Sequence, residues 1–479
     1  MWSVGVGLMC IVALATIFMC HWIHKWRNPR CNGVLPPGSM GFPLIGETIQ
    51  LLIPSRSLDL HPFIKKRIQR YGLVFRTNLV GRPMIISADP EFNHFIFLQE
   101  GRSVELWYLD SFSKLFDQDS ESRTNAVGSV HRYIRSTVLN HFGSESIKEK
   151  LLSQLEEMVH KTLCNWSTQE STDVKHAVST MVFDFTAKHM FGYDYEKSPE
   201  KISKHFTHLL EGLMTFPLNI PGTTFHKCLK ERNKVINMMK EKLKEKRNSP
   251  DQTCQGDLLD QAVKDMNTEK FLTDDFVVGL IFGALFASFE SISSALTLAF
   301  KLLSQHPSVV EELRVEHEAI LKNRGNLDSS LTWDEYKSMT FTLQVINEIL
   351  RLANVAPGLL RRTLKEIKVN GYTIPAGWTI MVATSAHQLN PNTYKDPTAF
   401  NPWRWKDLDS NVISKNFMPF GGGMRQCAGA EYSKAFMATF LHVLVTKYRW
   451  TKIKEADIGR TPLLNFGDGI HIKVSEKHE

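Results

Sequence analysis

Residues 2–23 are almost wholly apolar, and the first 24 residues carry no Asp, Glu, Lys or Arg. As a helix this run spans about 33 Å, enough to cross a hydrocarbon core of about 30 Å. Beyond it, apolar positions recur at helical spacing in HPFIKKRIQRYG, HRYIRSTVLNHF, SIKEKLLSQLEEMVHKTL and KVINMMKEKLKEKR. Two stretches alternate instead: LVFRTNLVGRPMIISA and KEIKVNGYTIPAGWTIMVAT each place a glycine between alternating runs and predict strands joined by tight turns. One further segment follows neither pattern. Thr273 predicts an N-cap, and Asp274 and Asp275 suit the positive end of a helix dipole. From Phe276 the chain is apolar on all sides until His306-Pro307, a helix of about 45 Å that belongs in a core or a membrane. Glu290 lies in its middle with Ser288, Ser291, Ser293 and Ser294. That polar cluster favours a buried soluble helix over a second membrane span, and a buried acid requires a partner or a function. There is no internal repeat, and no long polar linker follows residue 45. The pattern predicts one large unit, mainly α with a minor β region.

Lys25, Arg27 and Arg30 follow the N-terminal apolar run, and no acid appears until Glu47. Trp22 and Trp26 sit where interfacial aromatics belong, and the positive-inside rule places the rest of the chain in the cytosol. A cleaved signal peptide is the competing reading. Against it stand the length of the run, basic residues that follow rather than precede it, and no small-x-small cleavage site. The expected organisation is a transmembrane signal anchor over 1–24, a basic and proline-rich linker over 25–45, and a catalytic domain over 46–479. Pro36, Pro37 and Pro43 stiffen the linker by fixing φ. The sequon Asn165-Trp166-Ser167 is expected to stay unmodified, because it does not reach the lumen.

At 43% hydrophobic and 22% charged residues over 479 positions, the chain is neither disordered nor collagen-like. A net charge of +7 suits an anionic membrane surface or an acidic partner protein. No basic stripe with interleaved aromatics is present, so nucleic acid is not the expected partner. The lysine-rich run 227–247 also holds Glu231, Glu241 and Glu245 and reads as a solvated helix face, with docking to a membrane or partner as the alternative. Cysteines stand at 10, 20, 31, 164, 228, 254 and 427. Odd in number, widely spaced and without a CxxC pair, they predict no disulfide framework and a reducing compartment.

Cys427 follows the turn Gly421-Gly422-Gly423, and a helical pattern begins just after it. A cysteine at such a junction feels the helix dipole and exposed backbone N–H groups, which favour the thiolate. One thiolate with no second Cys or His at metal spacing does not make a zinc site, but it can be the axial ligand of a haem iron. The glycines let backbone approach a flat macrocycle, and Arg425 is placed for a charge-assisted bond to a haem carboxylate. A plain buried cysteine is the competing reading.

The string Phe420-x-x-Gly423-x-Arg425-x-Cys427-x-Gly429 resembles the haem-binding signature of the cytochrome P-450 superfamily. Five fixed positions would match by chance in roughly one chain in 10,000 of this length. Glu348 and Arg351 resemble the ExxR motif of that family, and Arg404 in FNPWRW resembles its third, structural member. The HRYIR segment resembles the helix that supplies partners to the haem carboxylates. Arg135 matches an arginine there, and His131 stands where other branches often have tryptophan. Arg361 resembles a further carboxylate-binding position. The likeness runs from about residue 35 to 474 and implies the cytochrome P-450 fold behind a single N-terminal transmembrane helix, with haem b ligated by Cys427.

The long apolar helix then looks like the oxygen-binding helix, with departures. The family usually carries Ala/Gly-Gly-x-Asp/Glu-Thr-Thr/Ser, whereas this chain reads Ala287-Ser288-Phe289-Glu290-Ser291-Ile292-Ser293. Glu290 keeps the acid, and Ser291 keeps a hydroxyl in place of threonine. The resemblance implies that both deliver protons to dioxygen. Without the threonine methyl, the Ser291 rotamer is less constrained. PLNIPGTTFHKCLKERN, LWYLDSF, LPPGSMGFPLIGET and GYTIPAGWTIMVAT look like the plant branch that contains brassinosteroid-biosynthetic and triterpenoid hydroxylases, thalianol hydroxylase among them. That implies a small apolar substrate of triterpenoid or steroid-like type, with electrons from an NADPH-cytochrome reductase. It also implies a single-pass location in the endoplasmic reticulum membrane with the catalytic domain on the cytosolic face. Apolar residues in 106–116, 216–225 and 355–360 are candidate pocket lining, and Pro217, Pro221 and Gly222 predict a loop that dips into membrane lipid. An oxygen-independent haem isomerase or dehydratase, and a haem- or lipid-binding protein without turnover, are the alternatives.

Overall fold

In the computed structural model, all residues are described except 1, 117–126, 199–200, 214, 216, 249–255, 327–328, 456, 462 and 478–479. The apolar N-terminus forms α1 (Trp2–Arg27), and from Met9 to Arg27 none of it is buried against the body. The Trp26 indole donates to the Met40 carbonyl at 3.3 Å, which ties the end of α1 to the linker. Helix α2 (Pro62–Tyr71) follows. The first alternating stretch becomes the hairpin β1 (Val74–Leu79) and β2 (Arg82–Ser87). Its turn holds Val80 and Gly81 at φ +56° and +76°, left-handed values that suit the twist of a two-residue hairpin. Helix α3 (Pro90–Leu98), N-capped by Asp89, leads through a short turn into β3 (Val104–Leu106).

The helical body comprises α4 (Gly128–Phe142), α5 (Leu152–Ser167), α6 (Val174–Phe191), α7 (Thr224–Asn248), α8 (Asp274–Gln305), α9 (Pro307–Asn323), α10 (Thr340–Ala353) and α11 (Ala430–Lys447). The long apolar segment is α8. Thr273 caps it by accepting from the Phe276 amide at 3.2 Å, and it ends at His306, where Pro307 opens α9. It packs against α6, α7, α10 and α11, and apolar residues from all of them share one continuous core. Its apolarity therefore belongs to burial in protein, as the mid-helix polar cluster implied. Helix α7 exposes most of its lysines. Lys246 is the exception, buried between Asp257 and Asp260 at 2.6 Å from each.

After α10 the chain returns to sheet as β4 (Leu359–Thr363), the hairpin β5 (Ile367–Val369) and β6 (Tyr372–Ile374), and β7 (Thr379–Val382). The main sheet runs β1-β2-β7-β4-β3. The β2–β7 pair is parallel and the others antiparallel. The architecture is mainly helical with a small sheet region. Cysteines 10, 20, 31, 164, 228 and 427 are free, and no disulfide occurs among the described residues; Cys254 lies outside them.

Candidate active site

Cys427 sits at the end of a loop that feeds α11. Its amide donates to the Phe420 carbonyl at 2.9 Å, and the Gln426 amide to the Gly423 carbonyl at 3.1 Å. Gly421 and Gly423 have φ of +71° and +66°, where a side chain is strained. A Cβ on Gly422 would lie 3.0 Å from the Phe97 ring, and one on Gly423 2.8 Å from the Phe97 carbonyl oxygen. The close approach these two glycines allow is thus to the last turn of α3. Gly429 differs: a Cβ there would meet only the Cys427 Sγ, at 3.9 Å.

Cys427 is accessible although protein surrounds the residue densely. Burial pushes its thiol above the ordinary value, while the Gly429 N–H and the Arg135 charge pull it down. Burial outweighs the helix-end effect that the sequence pattern suggests. A metal cation is what would take the proton off outright.

The basic residues singled out in the sequence converge beside this loop. Arg135 on α4 donates through Nη1 to the Gln426 carbonyl at 2.6 Å. Arg361 lies on β4, opposite Leu106 of β3 and Ile380 of β7, and is 3% exposed. The Arg425 Nε donates to Oε1 of Glu100 at 3.0 Å, and Arg361 Nε lies 2.7 Å from the other oxygen. Glu100 is itself buried. Burial lowers the Arg361 pKa against the opposing pull of Glu100 and Tyr108. His131 is likewise lowered, by burial first and then by Arg425 and Arg135, so its imidazole is neutral at pH 7.

On α8, Ala287 is exposed in the middle of a helix that is otherwise mostly buried. Ser291, one turn on, donates to the Ala287 carbonyl at 2.8 Å. Ser288 donates to the Leu285 carbonyl at 3.0 Å. These back-bonds hold the serine rotamers. Glu290 faces another way. Its Oε2 is 2.9 Å from the Lys175 ammonium of α6, and Ser294 donates to its Oε1 at 2.6 Å. Lys175 also reaches Ser293 and Ser294, at 3.0 and 2.8 Å. The structure brings Glu290 together with Lys175, while Ser291 bonds back along its own helix.

Glu348, Arg351 and Arg404 form one cluster. Both oxygens of Glu348 bind Arg351, at 2.8 and 2.9 Å. Arg404 Nε adds 3.0 Å, the Asn401 amide 3.1 Å and the Trp405 indole 3.1 Å. Arg351 also donates to the Gln388 and Pro397 carbonyls, at 2.9 and 2.6 Å. Glu348 and Arg351 are fully buried, so this is no surface ion pair.

Glu100, Lys175, Phe97 and Trp405 are site residues that sequence reasoning missed. For Lys175 a signal existed: Glu290 in an apolar helix calls for a cation, and Lys175 opens a mostly apolar helical run. Trp405 is adjacent to Arg404 in the same motif. For Glu100 nothing distinguished Glu-Gly-Arg from an ordinary polar turn.

The residues present fit a haem. An accessible thiol with no protein metal ligand beside it is the donor expected of a single axial position, and no group of three metal-binding side chains occurs among the described residues. Arg135, Arg361 and Arg425 gather beside the Cys427 loop, and guanidiniums are the groups that bind the two haem carboxylates. Cys427 would hold the iron, and the three arginines with His131 the carboxylates. When bound, the haem supplies the activation of dioxygen.

Three comparisons agree with this geometry. The family model described as Cytochrome P450 matches residues 36–469. The beta-amyrin 16-alpha-hydroxylase of Maesa lanceolata is 56% identical over 479 residues, covering 100% of both chains. The cucurbitadienol 11-hydroxylase of Siraitia grosvenorii is 54% identical over 477 residues, again 100% of both. A cholesterol 22-monohydroxylase of Paris polyphylla is 35% identical over 473 residues, 98% of this chain and 99% of that one. Among solved structures, a retinoic acid bound cyanobacterial CYP120A1 superposes with a TM-score of 0.82 at 26% identity, over 93% of this chain and 100% of that one. Accessible thiol donor, converging arginines, fold and end-to-end sequence likeness lead to one conclusion: the chain belongs to the cytochrome P450 family, the haem-thiolate monooxygenases, and its similar relatives include plant triterpenoid and steroid hydroxylases.

Proposed function

We propose that this chain is a membrane-anchored monooxygenase that hydroxylates a triterpenoid or steroid-like polycycle, using dioxygen and electrons from an NADPH-cytochrome reductase. The observation that carries the substrate class is the 56% and 54% identity, end to end, to hydroxylases of beta-amyrin and cucurbitadienol. The apolar wall fits a rigid hydrocarbon. Tyr108, Phe112 and Phe116 stack in sequence with centroids 4.2 Å apart, and Phe116 meets Phe286 of α8 at 4.9 Å. Leu115 and Phe116 are core residues as well. Of the 216–225 stretch, Phe216 lies outside the described residues.

Residues 1–24 act as the anchor, 25–45 as the linker and 46–479 as the catalytic domain. An exposed apolar patch supports membrane contact: Phe42, Leu44, Ile49 and Ile53 are each more than half exposed. The Val80 turn abuts the patch through Gly81, whose added Cβ would lie 2.9 Å from the Leu44 carbonyl oxygen, and α1 joins the body beside it at Met40. Leu218 and Ile220 expose a second apolar loop. These surfaces suit lipid on the cytosolic face of the endoplasmic reticulum membrane. The reductase docks over the Cys427 loop, where Met424 is 53% exposed.

Ser291 and Glu290 deliver protons. The Ser291 hydroxyl keeps its lone pairs available while its proton rests on the Ala287 carbonyl. The Glu290–Lys175 pair stores a proton on the other side of the helix. The test is expression in yeast membranes with a plant reductase and dioxygen. The expected result is a red-shifted Soret band of the reduced carbon monoxide complex and a product heavier by one oxygen from beta-amyrin, cucurbitadienol or cholesterol. Cys427→Ala should remove both. Turnover that persists without dioxygen and reductase would overturn the proposal.

A further inference from the structure

We infer that Glu100 is a positioning residue of the haem pocket, whose buried carboxylate holds Arg361 and Arg425 ready for the two haem carboxylates. The inference rests on the haem-thiolate reading of Cys427.

Glu100 occupies the turn between α3 and β3. Gly101, at φ +74°, donates its amide to the Val104 carbonyl at 2.8 Å, and this fixes the turn. The Leu106 amide donates to Oε1 of Glu100 at 3.2 Å, which aims the carboxylate. With Glu100 3% exposed, it presents one oxygen to each arginine. Arg361 and Arg425 come from elements far apart in sequence, a central strand and the cysteine loop. Each meets Glu100 through Nε, the guanidinium nitrogen nearest the backbone. For Arg425 that contact is a hydrogen bond that sets the plane of the guanidinium; Arg361 is held beside Glu100 by the ion pair and by its Nη1, which donates to the Leu360 carbonyl at 2.9 Å, whereas an arginine without such contacts samples many rotamers.

The surroundings distinguish this from an ordinary ion pair. Tyr108 and His131 both feel Glu100 together with Arg425, and Tyr108 feels Arg361 too. Arg361 Nε and Glu100 Oε2, though 2.7 Å apart, do not form a well-angled hydrogen bond. Among the described residues, two guanidiniums meet the one buried carboxylate of Glu100. Such a cluster is suited to receive further anions.

The experiment compares full-length wild type, Glu100→Gln and Glu100→Asp in lipid nanodiscs. Glutamine keeps the size but offers one acceptor oxygen and no charge, so one arginine is released. Aspartate keeps the charge but loses the reach of one methylene. Haem transfer to apomyoglobin should accelerate about 10-fold in both, in the range typical for outer-shell partners of a metal site. Removing a negative charge favours the reduced iron, so the Fe(III)/Fe(II) potential should rise in Glu100→Gln and hold in Glu100→Asp. A purely structural Glu100 would lower thermal stability without this split, and that result would overturn the inference. Haem release and potential at wild-type values in both variants would overturn it as well. Should Glu100→Gln fail to fold, Glu100→Asp alone decides: haem release at the wild-type rate overturns the inference. A wild type that shows no red-shifted carbon monoxide band would instead remove the haem-thiolate reading, and the inference with it.

Discussion

Two carboxylates in this molecule each gather two arginines, and they differ in how completely they are satisfied. Glu348 receives Arg351 twice, Arg404, a backbone amide and an indole N–H. Its arginines spend further donors on the carbonyls of residues 388, 395, 397 and 399. Glu100 receives Arg425 and one amide in good geometry, with Arg361 close but poorly angled. The same residue types therefore build a closed lock in one place and a receptive cradle in the other. What separates them is geometry: a buried ionic cluster with its carboxylate fully bonded holds the fold, and one in which Arg361 meets its carboxylate at a poor angle can turn toward a charged cofactor.

The sharpest way to break the comparison is Glu348→Ala. It would strand two buried guanidiniums, at a cost of about 3–5 kcal/mol out of a typical 5–15 kcal/mol. Little folded, carbon monoxide-binding protein should accumulate, as read by spectral yield and thermal melts. Arg425→Leu should behave differently. Arg361 still neutralises Glu100, so stability should fall by only about 1–2 kcal/mol, while haem release to apomyoglobin should speed up about 10-fold. Equal stability losses in the two variants would erase the distinction between lock and cradle.

The Lys175–Glu290 pair lies between them, satisfied by two serines but partly exposed. Lys175→Met should cost about 1 kcal/mol after allowance for solvent screening and slow substrate hydroxylation more than it changes substrate binding. A kcat at the wild-type level would separate this pair from proton delivery. At pH 7 the smallest effect should come from bases that stay neutral. His317 and His442 share a 3.0 Å contact between their Nδ1 atoms, and burial lowers both to about 3. The unfolded state, with histidine near 6.5, binds protons first as pH falls. Stability attributable to the pair is therefore full above about pH 6.5 and declines towards pH 3. Melting temperatures between pH 5 and 7 should show a slope that His317→Gln reduces.

Much of this was legible in the sequence, for physical reasons that can be named. The hairpins were readable because Val80-Gly81 and Asn370-Gly371 hold left-handed φ between alternating runs. Helix α8 was readable because nothing but burial accommodates apolarity on every side. Glu348 and Arg351 were readable because three residues along a helix place them on one face. Glu100 was not, because its partner Arg425 lies 325 positions away and a polar turn gives no hint of what folds over it. Lys175 and Glu290 are separated by 115 positions, and only the packing of α6 on α8 brings them together.

The contact between Phe97 and Gly423 has a consequence for biogenesis. The segment that carries Phe97 and Glu100 leaves the ribosome early, and the loop that must close on it is synthesised some 325 residues later. At about 5–20 residues per second that is a delay of roughly 16–65 s. During that interval the nascent chain has half a cradle and no Cys427 sulfur to offer. Cofactor capture through Cys427 therefore waits until this late loop has been made, and a chain truncated anywhere before residue 427 lacks the sulfur donor however well the rest of it folds.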